Sequence, residues 1–217
     1  MGKIKIYSGK KDGNVKLSKH FSVKEFRCND GTDEIRIDSD LPPILQQIRD
    51  HFNAPVHINS AYRTPAYNAK VGGVKNSYHV KGMAADIVVS GVSSKRVAQY
   101  AETLDCGGIG WYEGKKFVHI DTRPKRVCWK NSGSNTCKTF SDCPYAEPRS
   151  VLRMNTSEHG TAWVQWHLRK LGAKVVIDGK FGANTKAGVI AFQKRFGLLT
   201  DGVVGEKTRL ALKREVI

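Results

Sequence analysis

No stretch of the chain offers the roughly 20 consecutive apolar residues that crossing a bilayer requires. The start, Met1-Gly2-Lys3-Ile4-Lys5-Ile6-Tyr7, alternates charged and apolar residues and so lacks the apolar core of a secretory leader. The expectation is a protein made in the cytoplasm without a signal peptide, not inserted in a membrane, and reaching any outside target only after release. Cysteine is scarce: Cys28, Cys106, Cys128, Cys137 and Cys143 are an odd set, and the last three lack the Cys-x-x-Cys spacing of a zinc knuckle. Reduced thiols are the plain reading, with a disulfide among the last three left open. Acidic residues are also short, 20 against 36 Lys and Arg, for a formal net charge of +16. That excess calls for an anionic partner. No Arg-rich block or interleaved stacking motif appears, and the surplus is spread as +7 from Val151 onward and +9 before it. An even spread argues against a nucleic-acid binder.

Apolar content of 40% and charged content of 26% in 217 residues describe a folded protein with room for two small domains. Residues up to about Lys16 read as a polar leader. Ser22 with Glu25 three residues later has the spacing of a capping box and predicts a short helix, and His20 beside it reads as a surface residue. Leu41, Ile44, Leu45, Ile48 and Phe52 recur at helical spacing after Asp40, with Pro42 and Pro43 tolerated in the first turn. Val56-His57-Ile58-Asn59 is a short strand, in which His57 supports the sheet. Ser93 caps a second helix carrying Val97, Tyr100, Ala101 and Leu104, and Glu113-Gly114-Lys115-Lys116 forms a hairpin turn. This order predicts an α+β domain with a small antiparallel sheet and flanking helices.

Two polar interruptions of apolar strands carry the chemistry. Asp86 sits in Ala84-Ala85-Asp86-Ile87-Val88-Val89, where a lone buried carboxylate costs several kcal/mol unless it is paired or metal-bound. Phe117-Val118-His119-Ile120-Asp121 places His119 and Asp121 on one strand face by the period of two. With His79, these supply two imidazoles and one carboxylate, the ligand set of a zinc site that keeps a position for water.

Ser60-x-Tyr62-Arg63-Thr64-Pro65, Tyr67-Asn68, Val71-Gly72-Gly73, Asn76-Ser77-x-His79-x-x-Gly82-x-Ala84-x-Asp86 and His119-Ile120-Asp121 resemble the zinc D-alanyl-D-alanine carboxypeptidase family of peptidoglycan peptidases, over about Leu17 to Arg123. The resemblance implies zinc on His79, Asp86 and His119, with Arg63 in the family's substrate-binding position. Several relatives place Glu or His three residues before the last zinc ligand; here that position is Lys116, which cannot accept a proton while charged. Asp121, on the face of His119, is the first choice for general base, with an orienting role as its alternative, and Glu113 is the second candidate.

Beyond Pro148 the periodicity returns. Asp178-Gly179-x-x-Gly182-x-x-Thr185 and Asp201-Gly202-x-x-Gly205-x-x-Thr208 are a repeat, each a turn opening a helix, with a helix from Trp163 to Leu171 before them. The segment resembles the three-helix peptidoglycan-binding domain. Residues 1–143 are thus read as a zinc peptidase domain, 144–150 as a linker and 151–217 as a wall-binding domain. The whole reads as a monomeric endolysin-like hydrolase acting on bacterial peptidoglycan and its anionic wall polymers, with a bacterial autolysin and a non-catalytic wall-binding protein as the alternatives. The scissile bond is left open between D-Ala-D-Ala, L-Ala-D-Glu and a cross-bridge.

Overall fold

A computed structural model describes residues 2–131, 136–137, 139–156 and 160–217. The chain divides into two compact units, Met1–Phe140 and Ser141–Ile217. Among the described residues no helix is long and apolar enough to cross a membrane.

The first unit opens with strand β1 (Ile4–Ser8), a single helical turn α1 (Gly9–Asp12) capped by Ser8, and a 3-10 turn over Val23–Phe26. β1 pairs antiparallel with β2 (Glu34–Asp38), in the register Ile6 to Arg36. The first residues are therefore part of the fold and not a polar leader: β2 is the partner that makes their alternation a strand, and it lies some thirty residues further along. The predicted helix at Ser22 is only that 3-10 turn, where the Glu25 carboxylate accepts from Ser22 N at 2.8 Å. His20 bonds to Gln46 there.

Helix α2 (Leu41–Phe52) buries Leu41, Ile44, Leu45 and Ile48 and ends at Asn53 in the left-handed region, φ 45°. β3 (Val56–Ser60), α3 (Pro65–Lys70), β4 (Ala84–Val89), α4 (Ser94–Ala101), β5 (Gly108–Tyr112), β6 (Phe117–Asp121), β7 (Val127–Lys130) and β8 (Thr136–Cys137) follow. The six strands form one sheet in the order β3-β4-β6-β5-β7-β8. All neighbours are antiparallel except β5 and β7, which run parallel. Ile87, Ile109 and Ile120 are fully buried in it, as are Leu45 and Ile48 of α2 and Ala98 and Ala101 of α4. Burying an aliphatic chain of that size contributes about 1.5–3 kcal/mol each.

The sheet's register lines up one row of residues across five strands. Ser60 faces Asp86, Asp86 faces His119, His119 faces Gly110, and Gly110 faces Trp129. Directly opposed residues project to the same face, so this row concentrates polar side chains on one side of an otherwise apolar sheet.

The second unit has three helices, α5 (Thr161–Lys170), α6 (Ala183–Arg195) and α7 (Glu206–Val216). Its core joins Leu152, Trp163, Val164, Leu168, Phe181, Val189, Phe192, Val204 and Leu212. Each Asp-Gly turn is clipped by a buried glutamine. Gln165 Nε2 donates to Asp178 Oδ1 at 2.8 Å and Thr185 Oγ1 at 3.0 Å, while its Oε1 accepts from Gly179 N at 2.9 Å. Gln193 repeats this with Asp201 Oδ1 at 2.9 Å, Thr208 Oγ1 at 3.3 Å and Gly202 N at 2.8 Å. The repeat seen in the sequence is the loop half of a motif whose other half is this amide. Trp163 is core, whereas Trp166 is half-buried beneath Lys170.

Candidate metal centre

His79, Asp86 and His119 converge, all three buried. His119 Nδ1 lies 2.9 Å from Asp86 Oδ1, His79 Nε2 lies 3.3 Å from the same oxygen, and the two ring nitrogens are 3.2 Å apart. A tetrahedral cation with bonds of about 2.0–2.1 Å holds its ligands about 3.3 Å apart, so this triangle has the size such an ion requires.

Local structure explains each position. Asp86 and His119 are a cross-strand pair on β4 and β6. His79 arrives from the irregular segment between α3 and β4. Its Nδ1 bonds to the Ala61 carbonyl at 2.7 Å, which directs the Nε2 lone pair at the other two ligands. The turn after it needs Gly82, at φ +74°, because any Cβ there would collide with the Arg36 backbone.

The protonation states follow from burial and partners. Burial alone would raise the Asp86 carboxyl, but hydrogen bonds from His119 and His79 overcome it and hold it well below the usual carboxylate range. Burial lowers His79. Burial also works against the charged form of His119, yet bonds to Asp121 and Asp86 push it up to about 9. Two carboxylates flank the His119 imidazole, and each is also bonded by a guanidinium, Arg63 on Asp86 and Arg123 on Asp121.

Arg63 reaches the same carboxylate from the other side. Its Nη2 donates to Asp86 Oδ2 at 2.6 Å and its Nε to Ser60 Oγ at 2.7 Å, so it brackets one end of the cross-sheet row. Asp121 stands behind His119, with Oδ2 3.0 Å from His119 Nε2, the nitrogen turned away from Asp86 and His79. It is wholly inaccessible to solvent, and Arg123 occupies both of its oxygens. These contacts are those of a residue that orients a histidine, the alternative role expected for Asp121 beside that of general base. Glu113 is the other candidate for general base. It lies three residues beyond Gly110, the partner of His119, about 10 Å along the strand at about 3.4 Å per residue, exposed in the hairpin turn. His57 is exposed on β3, bonded to Ser90.

Tyr78, Arg123 and Trp129 are the neighbours that sequence reasoning missed. The available signal was the alternation His119-x-Asp121-x-Arg123, which continues the period of two by one more residue.

A buried aspartate and histidine paired in one sheet row, joined by a buried histidine from the preceding loop, make a site of the metalloenzyme kind, and a separate three-helix module follows it in the chain. Residues 19–121 match the family described as "Peptidase M15", and residues 158–212 match the "Putative peptidoglycan binding domain". The first module is thus similar to peptidase M15 and the second to a putative peptidoglycan binding domain, each over the matched residues only. Among curated relatives, the "Probable peptidoglycan L,D-endopeptidase MepK" of Haemophilus influenzae is 41% identical over 83 residues, 36% of this chain and 44% of the relative. The "Peptidoglycan L,D-endopeptidase MepK" of Escherichia coli is 38% identical over 77 residues, 33% of this chain and 42% of the relative. The "Zinc D-Ala-D-Ala carboxypeptidase" of Streptomyces albus G is 51% identical over 37 residues, 17% of this chain and 14% of the relative. The chain spans less than half the length of these proteins.

Proposed function

We propose that the protein is a zinc-dependent peptidase that hydrolyses peptide bonds in bacterial peptidoglycan, with its second unit holding it to the wall. The observation that carries this reading is the triangle of ligand atoms no more than 3.3 Å apart, buried in the M15 module. His79 Nε2, Asp86 Oδ1 and His119 Nδ1 would hold the ion. Bound there, zinc supplies polarisation of the scissile carbonyl and acidification of a water from a pKa of about 15.7 toward 7.

The chain's own residues do the rest. The Ala61 carbonyl and the Asp121 carboxylate each bond the outer nitrogen of a ligand histidine, holding both inner lone pairs toward one point. Arg63 fixes the second oxygen of Asp86, and its remaining guanidinium N–H groups would orient a substrate carbonyl or carboxylate. The bond cut is proposed to be internal to a stem or cross-link, as the names of the two MepK relatives indicate for those proteins. The second unit raises the local concentration of a weakly binding active site on an insoluble polymer, and the net charge of +16 favours an anionic wall. An endolysin, released to reach that wall, fits this pairing of modules.

Mass spectrometry of muropeptides after digestion of purified sacculi tests the reading. The expected products are shortened or uncrosslinked stems with new amino groups. Intact muropeptides from a protein carrying stoichiometric zinc would refute it and leave a wall-binding protein.

A further inference from the structure

Arg123 is bonded to a carboxylate and packed against aromatic rings, and the proposed chemistry leaves it unused. Its Nε donates to Asp121 Oδ1 at 2.8 Å and Oδ2 at 2.9 Å, and its Nη2 also bonds Oδ2. The guanidinium centre lies 4.4 Å from the Tyr78 ring centroid and 5.1 Å from that of Trp129. The Trp129 indole in turn rests 5.2 Å from His119, and its Nε1 donates to Tyr112 Oη at 3.1 Å. We infer that Arg123 is a positioning residue: clamped by Tyr78 and Trp129, it fixes the Asp121 carboxylate and, through it, the direction of the His119 imidazole.

This rests on the metal-binding reading above, and three features support it. A forked guanidinium engages a carboxylate through two parallel bonds and so sets its plane, which a point charge cannot do. The backbone makes room for this assembly: a Cβ at Gly108 would overlap the Asp121 carboxylate, and one at Gly110 would overlap the Trp129 indole. Finally, a buried ion pair is a weak source of stability, because desolvation offsets most of its Coulombic gain. A fold in need of stability alone is served as well by an apolar pair, whereas this one ends on a ligand nitrogen.

The test is zinc affinity, by chelator competition on the full-length protein, together with steady-state kinetics on soluble wall fragments. Arg123→Gln is expected to weaken zinc binding about 10–100-fold, the range seen when partners of a metal-bound histidine are removed. Its kcat should fall by a similar factor while KM stays within about twofold. Arg123→Lys, which keeps the charge without the fork, should recover part of both. Gly108→Ala, which crowds Asp121 without touching the charge, should move both in the same direction as Arg123→Gln and carries the test where that variant does not fold. Wild-type zinc affinity and kcat in Arg123→Lys and Gly108→Ala would overturn the inference alone. A wild-type protein that binds no zinc would overturn the reading beneath it as well.

Discussion

Asp86 and His119 face each other directly across β4 and β6, and the 2.9 Å between Asp86 Oδ1 and His119 Nδ1 brings two residues 33 positions apart into one site. The sheet register thus sets two of the three ligand positions, and the loop carrying His79 supplies the third. Because the register is braced by strands on both sides, the site is rigid where its chemistry needs precision.

Removing a ligand separates the two modules functionally. His79→Ala is expected to lose zinc and to reduce hydrolysis by at least about 10³-fold, in line with loss of a metal's catalytic contribution. Retention on purified sacculi should be unchanged, since the second unit has its own core. A pull-down run beside the activity assay checks this, and joint loss of both functions would count against independent modules.

Arg63 spans two acceptors, Ser60 Oγ and Asp86 Oδ2, that a lysine ammonium cannot bracket in the same way. Arg63→Lys should keep stoichiometric zinc yet lower kcat/KM about 100-fold through misplacement of substrate. Metal analysis and kinetics on the same preparation distinguish this from simple loss of the ion. An unchanged kcat/KM would remove Arg63 from the proposed mechanism.

Gln165 and Gln193 are almost fully buried and each satisfies both side-chain and backbone groups of an Asp-Gly turn. Gln165→Leu leaves several of those groups unpaired and should destabilise the second unit by about 2–4 kcal/mol. Calorimetry should show the transition of that unit shifted down by about 10 °C or more. Zinc content should be unaffected, and an unshifted transition would show that water replaces the clip without cost.

His167 gives the second unit a pH dependence of definite sign. Burial pushes its imidazole down to about 4, against a bond to the Trp163 carbonyl that favours the charged form; Lys213 lowers it further and Glu147 partly opposes. The unfolded chain takes up this proton near pH 6.5 and the folded unit only near 4. Stability should therefore be flat above about pH 6.5 and fall as the pH drops toward 4, by at most about 1.4 kcal/mol per pH unit. Urea midpoints followed through the surroundings of Trp163 would show it, and His167→Phe should flatten the profile. A midpoint from this unit that rises on acidification would contradict the assignment.

Much of this organisation was legible in the sequence because it depends on local pattern. Asp86 and His119 stood out as polar residues in apolar strands, and the Asp-Gly repeats announced their turns. What stayed hidden depends on pairing at a distance. The strand Ile4–Ser8 is recognisable only with β2 beside it, and the parallel partnership of β5 and β7 has no periodic signature. The role of Asp121 could not be chosen from the strand period, which places it on the face of His119 but does not say which ring nitrogen it meets. Arg123 bonds both carboxylate oxygens, which favours the orienting role, and its contact with two aromatic rings depends on Tyr78 from a different segment.

Zinc-edge X-ray absorption on the purified full-length protein addresses the metal centre itself. One equivalent of zinc is expected, with two imidazole nitrogens and oxygen ligands at about 2.0–2.2 Å, and with one imidazole missing in His119→Ala. Zinc bound through sulfur, or an imidazole count unchanged by that substitution, would contradict the assignment of His79, Asp86 and His119 as the metal site.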